Sequence, residues 1–200
     1  MENKNWREAF KNEIGIYPDS FLGIRYYLKL MDLWLRGSES YPIFKFMYSL
    51  RKYEYYLDSK NLIHIILRHI WRIRFRHNQL KYNLHIEPNT IEMGCTLMHP
   101  GYRMIPRSVH IGRNCTILPM VLIGKRRPGI KEKAIIGNNC YISTGVTILL
   151  PVRIGNNVTI GAGAVVTKDI PDNTVVAGIP ATQISKNRCK TVCRYSACKS

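Results

Sequence analysis

The sequence has few acidic residues and no long hydrophobic segment. Its 200 residues contain 13 Asp and Glu against 30 Lys and Arg, a formal net charge of +17. The longest apolar cluster, LIHIIL at 62–67, is far shorter than the roughly 20 residues that span a bilayer. The polar first ten residues lack the apolar core of a signal peptide, so we expect a cytoplasmic protein.

The positive charge is spread along the chain. Residues 1–80 hold 14 basic against 8 acidic side chains, residues 81–185 hold 11 against 5, and residues 186–200 hold 5 against none. Such a field attracts polyanions, which leaves a phosphate-bearing ligand, an acidic membrane surface or plain solvation as explanations. No basic segment matches a nucleic-acid docking motif, and we expect no nucleic-acid partner.

The cysteine and histidine spacings do not indicate a metal site. Three cysteines lie at apolar positions of the repeat described below, where a thiol acts as a small hydrophobe: Cys95, Cys115 and Cys140. The other three lie near the end of the chain, without a nearby histidine that would complete a zinc tetrahedron: Cys189, Cys193 and Cys198. We expect no metal, and we predict that residues 186–200 form a basic, disordered tail.

Residues 1–82 are predicted to form an α-helical subdomain that packs against a larger one. Apolar residues recur at helical spacing in three segments. The first helix, which ends at Gly37, carries Ile24, Tyr27, Leu28, Met31, Trp34 and Leu35. The second, which begins at Ser40, carries Ile43, Phe46, Met47, Leu50 and Leu57. The third carries Ile63, Ile66, Leu67, Ile70 and Ile73. The alternation in WRIRFR at 71–76 also allows a strand. Arginines at 68, 72 and 76 form a stripe that fits a solvated face or contact with an acidic membrane surface.

From residue 91 the apolar pattern changes to a period of six. The aliphatic positions are Ile91, Leu97, Ile105, Ile111, Ile117, Ile123, Ile136, Ile142, Ile148, Ile154, Ile160 and Val166. A small or β-branched residue lies two places before each of the later ones: Ala134, Cys140, Val146, Val152, Val158 and Ala164. This period predicts a parallel β-helix of about four coils with flat sides, one hexapeptide per side. We expect both sets to fill the prism, and Gly and Asn at 137–139, 155–157 and 161–163 to tolerate left-handed corners.

The period slips in two places. Leu97 and Ile105 are eight residues apart, with the two extra residues around His99-Pro100. Ile123 and Ile136 are thirteen apart, so about seven extra residues within 124–133 leave the prism as a loop. Insertions in a solenoid tend to lie on a binding face. Because the first slip displaces His99 from the interior stripe, this histidine is a candidate site residue.

The helical front, the run LMHPG at 97–101 and the ending GAGAVVTKDIPDNTVVAGIPA at 161–181 together resemble the serine acetyltransferase branch of the hexapeptide-repeat acyltransferases. The likeness is greatest to short members found among bacterial surface-polysaccharide genes. It is good over 84–185, loose over 1–80, and absent from 186–200. The ending is typical of acyltransferases but does not specify the acceptor.

This resemblance implies a mainly β fold, with a left-handed parallel β-helix over residues 83–185 behind the helical subdomain. It also implies a homotrimer with active sites in clefts between subunits and acetyl-CoA lying along the coil. His99 occupies the position of the family's general base. An imidazole suits that role because it titrates near neutral pH and an alcohol is a poor nucleophile while protonated. Backbone N–H groups are the expected oxyanion donors.

The sequence departs from the family at two points. Serine acetyltransferases usually carry an aspartate immediately before the histidine, where this chain has Met98. This does not remove a general base, because a backbone carbonyl can also set the tautomer. Their extended loop carries a second histidine, and the similar place here reads Arg126-Arg127-Pro128. The missing histidine makes a sugar hydroxyl a rival to serine as the acceptor.

The phosphates of coenzyme A need positive charge. The candidates are Lys125, Arg126, Arg127 and Lys168, although these residues would equally form a solvated basic loop or contact an anionic acceptor. Gly161, Ala162 and Gly163 would let the pantetheine arm approach the backbone closely, or are plain corner residues.

Two other functions fit the same coil. One is a non-catalytic scaffold for another enzyme. The other is a metal hydrase of the carbonic anhydrase type, but His85, His99 and His110 form no close ligand pair.

Overall fold

The computed structural model describes residues 31–126 and 132–186. Residues 31–35 are helical and are followed by Gly37 with φ at +60°, which confirms the predicted glycine after this helix. Helix α1 spans Ser40–Leu57 and helix α2 spans Leu62–Tyr82. None of the helices in this part of the chain has the length and apolarity required to cross a membrane. The predicted tail at 186–200 falls, from residue 187, outside the described residues.

Fourteen short strands follow the helices within the described residues. They are β1 Leu84–Ile86, β2 Thr96–Leu97, β3 Arg103–Ile105, β4 Val109–Ile111, β5 Thr116–Ile117, β6 Val121–Lys125, β7 Ala134–Ile136, β8 Tyr141–Ile142, β9 Thr147–Leu150, β10 Val152–Ile154, β11 Thr159–Ile160, β12 Val165–Val166, β13 Thr174–Ala177 and β14 Thr182–Lys186. They form three sheets, ordered β1-β3-β6-β9-β12, β4-β7-β10 and β2-β5-β8-β11-β13-β14. All pairings are parallel except that of β13 with β14. The three sheets are the three sides of the predicted parallel β-helix.

The interior of the prism confirms the period of six. Each of the twelve predicted aliphatic positions is no more than 5% exposed, and the six small-residue positions are buried beside them. Burying one such aliphatic side chain contributes about 1.5–3 kcal/mol, so stacked coils stabilise one another.

Cys95, Cys115 and Cys140 are free, buried thiols in successive coils, as predicted. Each donates a hydrogen bond to a glycine carbonyl of the next coil, over 3.1–3.2 Å. Hydrogen bonds with the neighbouring thiols and burial raise the pKa of Cys115. The Cys115 thiol therefore stays protonated and serves packing instead of nucleophilic chemistry.

Glycine and asparagine occur at the corners for two reasons, a left-handed backbone and close stacking of coils. Asn139, Asn157 and Gly163 have φ between +55° and +67°, as expected for left-handed corners. Gly155 does not have a positive φ. A Cβ at Gly155 would lie 2.6 Å from the backbone nitrogen of Asp172 in the next coil, so close stacking of coils excludes a side chain there.

The helices close the first coil of the prism. Phe46, Leu50 and Phe75 belong to the same buried cluster as the coil interior, and the Phe46 and Phe75 ring centroids are 5.8 Å apart. Arg51 donates hydrogen bonds of 3.0 Å to the carbonyl oxygens of Ile91 and Glu92. The predicted packing of a helical part against a larger one is confirmed, while the domain boundary at 82/83 stays a prediction.

The structure answers two questions that the sequence left open in the helical part. The segment WRIRFR is helical, because α2 runs through it to Tyr82. The apolar stripe of α2 faces outward, and Ile63, Ile66, Ile70 and Ile73 are exposed, as is the end of the first stripe at Met31, Trp34 and Leu35. The side chains of α2 that are buried are Phe75, Asn78 and Gln79. Periodicity locates an apolar face but does not determine which face meets the core, and here an aromatic contact and amide hydrogen bonds from Asn78 to Ser49 and Gln79 to Ile86 determine it.

Candidate active site

His99 lies at a corner of the first coil, in the turn between β2 and β3. The two extra residues of the period bulge out here, and the His99 side chain is 54% exposed instead of pointing into the prism. Its φ is +57°, a left-handed conformation that a residue with a Cβ adopts at some cost. Such conformations persist where surrounding contacts fix them, and they are common at functional sites.

Arg103 provides those contacts from inside the prism. Its side chain is fully buried at the position two before Ile105, where the other coils carry small residues. The guanidinium donates hydrogen bonds to the carbonyl oxygens of Met98, His99, Gly101 and Ile117, that to His99 over 2.9 Å. The arginine therefore replaces missing main-chain partners of the bulge and fixes the backbone of His99.

Burial lowers the pKa of Arg103 to about 10. The guanidinium therefore stays protonated at neutral pH, and each of its hydrogen bonds to the bulge is charge-assisted. A permanent positive charge below the turn also places a fixed field close to His99.

The carboxylate of Glu39 holds the imidazole ring of His99 from outside the prism. Its Oε1 lies 3.0 Å from Nδ1 of His99, and the residue sits at the N-terminus of α1 without capping that helix through its side chain. A carboxylate only accepts hydrogen bonds, so in the neutral imidazole Nδ1 carries the proton and Nε2 has the lone pair. The ring nitrogen thus has a carboxylate from the helical part as its partner, where the sequence had suggested a backbone carbonyl.

His99 and the Gly161–Gly163 turn share one edge of the prism. Main-chain hydrogen bonds link Met98 to Ile117, Leu118 to Ile142 and Ser143 to Ile160, which places this turn three coils beyond His99. At about 4.8 Å per coil the two are about 14 Å apart along the axis. Gly163 has φ at +67° and open space where a Cβ would lie, whereas a Cβ on Gly161 would lie 3.0 Å from that of Ala177. Gly161 is thus required by coil stacking, and Gly163 leaves the edge open.

A flat sheet face leads from this edge to the basic residues. The outer row of the first sheet consists of Met104, Leu122, Thr147 and Val165, paired in register. At the far end of these strands Lys125 and Lys168 are exposed, and the Arg126 guanidinium donates a hydrogen bond to the carbonyl of Thr167. Lys125, Arg126 and Lys168 therefore lie along the opposite edge of the same face, and Arg127 lies outside the described residues.

Reasoning from the sequence missed Glu39 and Arg103. Glu39 is 60 residues from His99, and its place just before the helix predicted from Ser40 gave no sign of a site. Arg103 carried a usable signal, because a charged residue at an interior position of the repeat has to meet buried partners.

Comparison with known proteins agrees with this geometry. Residues 133–168 match the family described as bacterial transferase hexapeptide (six repeats). The chain is 50% identical over 56 residues to galactoside O-acetyltransferase of Lactococcus lactis, covering 28% of this chain and 27% of that one. It is 35% identical over 91 residues to serine acetyltransferase of Bacillus subtilis, covering 42% and 39%. The chain spans less than half the length of the curated relatives it matches.

The fold matches solved structures of serine acetyltransferases. That of Brucella abortus superposes with a TM-score of 0.64 at 22% identity, over 92% of this chain and 70% of that one. A structure of the same enzyme in complex with coenzyme A gives 0.55 at 17% identity, over 92% and 82%. Together with the hexapeptide match, these structures confirm the predicted left-handed β-helix with a helical front.

Proposed function

We propose that this chain, as a serine acetyltransferase-like member of the hexapeptide-repeat acyltransferase superfamily, transfers an acetyl group from acetyl-CoA to a hydroxyl. One observation carries the proposal. His99 lies outside the prism, with Nδ1 held by Glu39 and its main chain held by Arg103. That arrangement leaves a single lone pair, on Nε2, in a fixed position.

The chemistry follows from that lone pair. Nε2 of His99 accepts the proton of the acceptor hydroxyl as its oxygen attacks the thioester carbonyl carbon. The tetrahedral intermediate then collapses, the carbon–sulfur bond breaks, and the imidazolium returns the proton to the leaving thiolate. A positioned base of this kind contributes about 10²–10⁴-fold in rate. Glu39 stabilises the imidazolium while it is charged.

The cosubstrate is proposed to lie along the first sheet. Its acetyl end would be at His99, its pantetheine arm along the edge that Gly163 leaves open, and its phosphates near Lys125, Arg126, Arg127 and Lys168. A flat sheet face covers only one side of such a ligand. We therefore propose that a second subunit supplies the other wall, in a homotrimer with three equivalent clefts.

Serine and a sugar hydroxyl are the two proposed acceptors. Likeness to serine acetyltransferases over 91 residues favours the first. Likeness to a galactoside O-acetyltransferase, and arginine in place of the loop histidine, favour the second. Release of coenzyme A should be measured with serine and with a set of mono- and oligosaccharides, followed by identification of the acetyl ester. Acceptor-dependent release supports the proposal, and release that no hydroxyl compound increases contradicts it.

We predict that Glu39→Gln lowers kcat about tenfold without changing the KM for acetyl-CoA. The amide oxygen still accepts from Nδ1, so the tautomer is kept, but the negative charge that stabilises the imidazolium is lost. The loss stays near tenfold because the pair is half exposed and partly screened. Steady-state kinetics checks it, with Glu92→Gln as control, since Glu92 lies 3.9 Å from the unrelated His110. An unchanged kcat would mean that the contact is incidental.

We predict that Arg126→Ala raises the KM for acetyl-CoA about three- to tenfold, the usual cost of losing an exposed phosphate contact, with kcat nearly unchanged. Lys133→Ala, at an exposed lysine just beyond the loop, is the matched control. If both variants raise the KM equally, the effect is general charge attraction and the assignment of Arg126 is wrong.

A further inference from the structure

The outward face of α2 is mainly apolar. Its exposed apolar residues are Leu62, Ile63, Ile66, Ile70, Ile73 and Leu80, each between 45% and 75% accessible. The stripe extends over 19 residues, or about 28 Å at 1.5 Å per residue, and the exposed His77 lies within it between Ile73 and Leu80. Isolated exposed aliphatic residues are common on proteins, but six on one face of one helix indicate an interaction surface.

Basic residues border this stripe on both sides. At 100° per residue, Arg72 and Arg76 lie along one border and Arg74 and Lys81 along the other, and all four are exposed. Helix α2 contains no aspartate or glutamate. One border residue, Arg76, pairs with an acid from outside the helix: Glu87, which follows β1, lies 3.4 Å from its guanidinium. The helix thus presents an apolar centre between two rows of positive charge.

We propose that this face docks on the surface of a bilayer that contains anionic lipids. An interfacial helix buries its apolar side at the boundary of headgroups and acyl chains, while flanking Arg and Lys reach the phosphates. The charge pattern argues against a second copy of this face as the occupant, because two acid-free helices would bring their arginine rows together. It also argues against nucleic acid, which would leave the central isoleucines uncovered by any apolar partner.

Docking in this way would hold the protein at the surface of the membrane. The proposal is independent of the acceptor, since none of these residues lies in the candidate active site. The two claims therefore fail separately, because vesicle binding and release of coenzyme A are measured in different assays.

The test is sedimentation of the full-length protein with vesicles of phosphatidylcholine alone, or of phosphatidylcholine with phosphatidylglycerol. We expect binding to the anionic vesicles and little to the neutral ones. The variant Ile66→Ser/Ile70→Ser/Ile73→Ser should bind about tenfold more weakly or worse, because it removes most of the inserted apolar surface. Arg72→Gln/Arg74→Gln should weaken binding and reduce its dependence on salt. The control is Met120→Ser/Ile135→Ser/Ile184→Ser, which removes exposed apolar residues from the coil and should bind like wild type.

Four outcomes would overturn the proposal. The first is an absence of binding to anionic vesicles. The second is binding that the serine variant retains in full, which would indicate charge attraction alone. The third is a smaller particle mass for the serine variant by light scattering, which would show that another copy covers the face. The fourth is a large drop in its unfolding midpoint relative to the coil control, which would show that the chain itself covers the face.

Discussion

Replacing His99 with asparagine should lower kcat/KM for acetyl transfer by about 10²–10⁴, or 3–5 kcal/mol of barrier, with little change in the KM for acetyl-CoA. Asparagine cannot accept the hydroxyl proton, but it readily takes the left-handed backbone that position 99 requires. Asn114, Asn139 and Asn157 have φ within 2° of that of His99 at other corners. Alanine is a poorer probe, because its Cβ makes the same conformation costly. Steady-state kinetics and thermal unfolding of the same preparation separate loss of chemistry from loss of fold.

His110→Asn is the matched control for this experiment. His110 is on β4, half exposed like His99, with Glu92 at 3.9 Å. Its replacement should leave acetyl transfer within about twofold of wild type, as is usual for surface sites. Full activity in the His99→Asn protein would favour a different base, and cellular function without measurable acetyl transfer would favour the non-catalytic scaffold.

Replacing Arg103 with alanine should lower the free energy of unfolding by about 3–5 kcal/mol. The change removes the side-chain donor of the carbonyl oxygens of Met98, His99 and Gly101 and opens a cavity in the first coil. The Ile117 carbonyl also loses the guanidinium but still accepts from the Met98 N–H. Water entering the bulge would satisfy some of the others, which is why the expected loss is smaller than the sum of three unmet groups. Urea unfolding measures the effect, and activity should be lost even where the protein is folded, because the His99 turn is released.

Arg107→Ala is the matched control for Arg103. Arg107 is exposed and pairs with Glu87 at 3.0 Å, a surface contact worth under about 1 kcal/mol. Arg103→Lys keeps the charge but offers three donors from one nitrogen, so it should fold and should lose less stability than alanine. Equal stability of the Arg103 and Arg107 variants would show that the buried guanidinium does not hold the turn.

The coil could be predicted almost completely from the sequence, because a period of six determines which side chains enter the prism. Each of the twelve aliphatic positions of the repeat, from Ile91 to Val166, is buried as predicted. The slip between Leu97 and Ile105 also located the bulge that carries His99. These inferences depend only on neighbouring coils repeating one local geometry, which is why the sequence suffices.

The partners of His99 could not be predicted in the same way. Glu39 reaches the imidazole only because α1 packs against the first coil through contacts such as those of Arg51 with Ile91, and no sequence spacing encodes that approach. The orientation of α2 could not be predicted for a related reason. Its isoleucines are the stronger apolar signal, yet Phe75 and two amides face the core, so the identity of the neighbour decides which face is buried.

The central claim is that Nε2 of His99 accepts the proton of an acceptor hydroxyl in a cleft that also holds acetyl-CoA. A crystal structure with coenzyme A and an acceptor bound tests it most directly. The account predicts a hydroxyl oxygen at about 2.6–3.2 Å from that nitrogen, with the coenzyme along the first sheet and a second subunit closing the cleft. A ring that faces open solvent, with coenzyme and acceptor bound elsewhere, would contradict it.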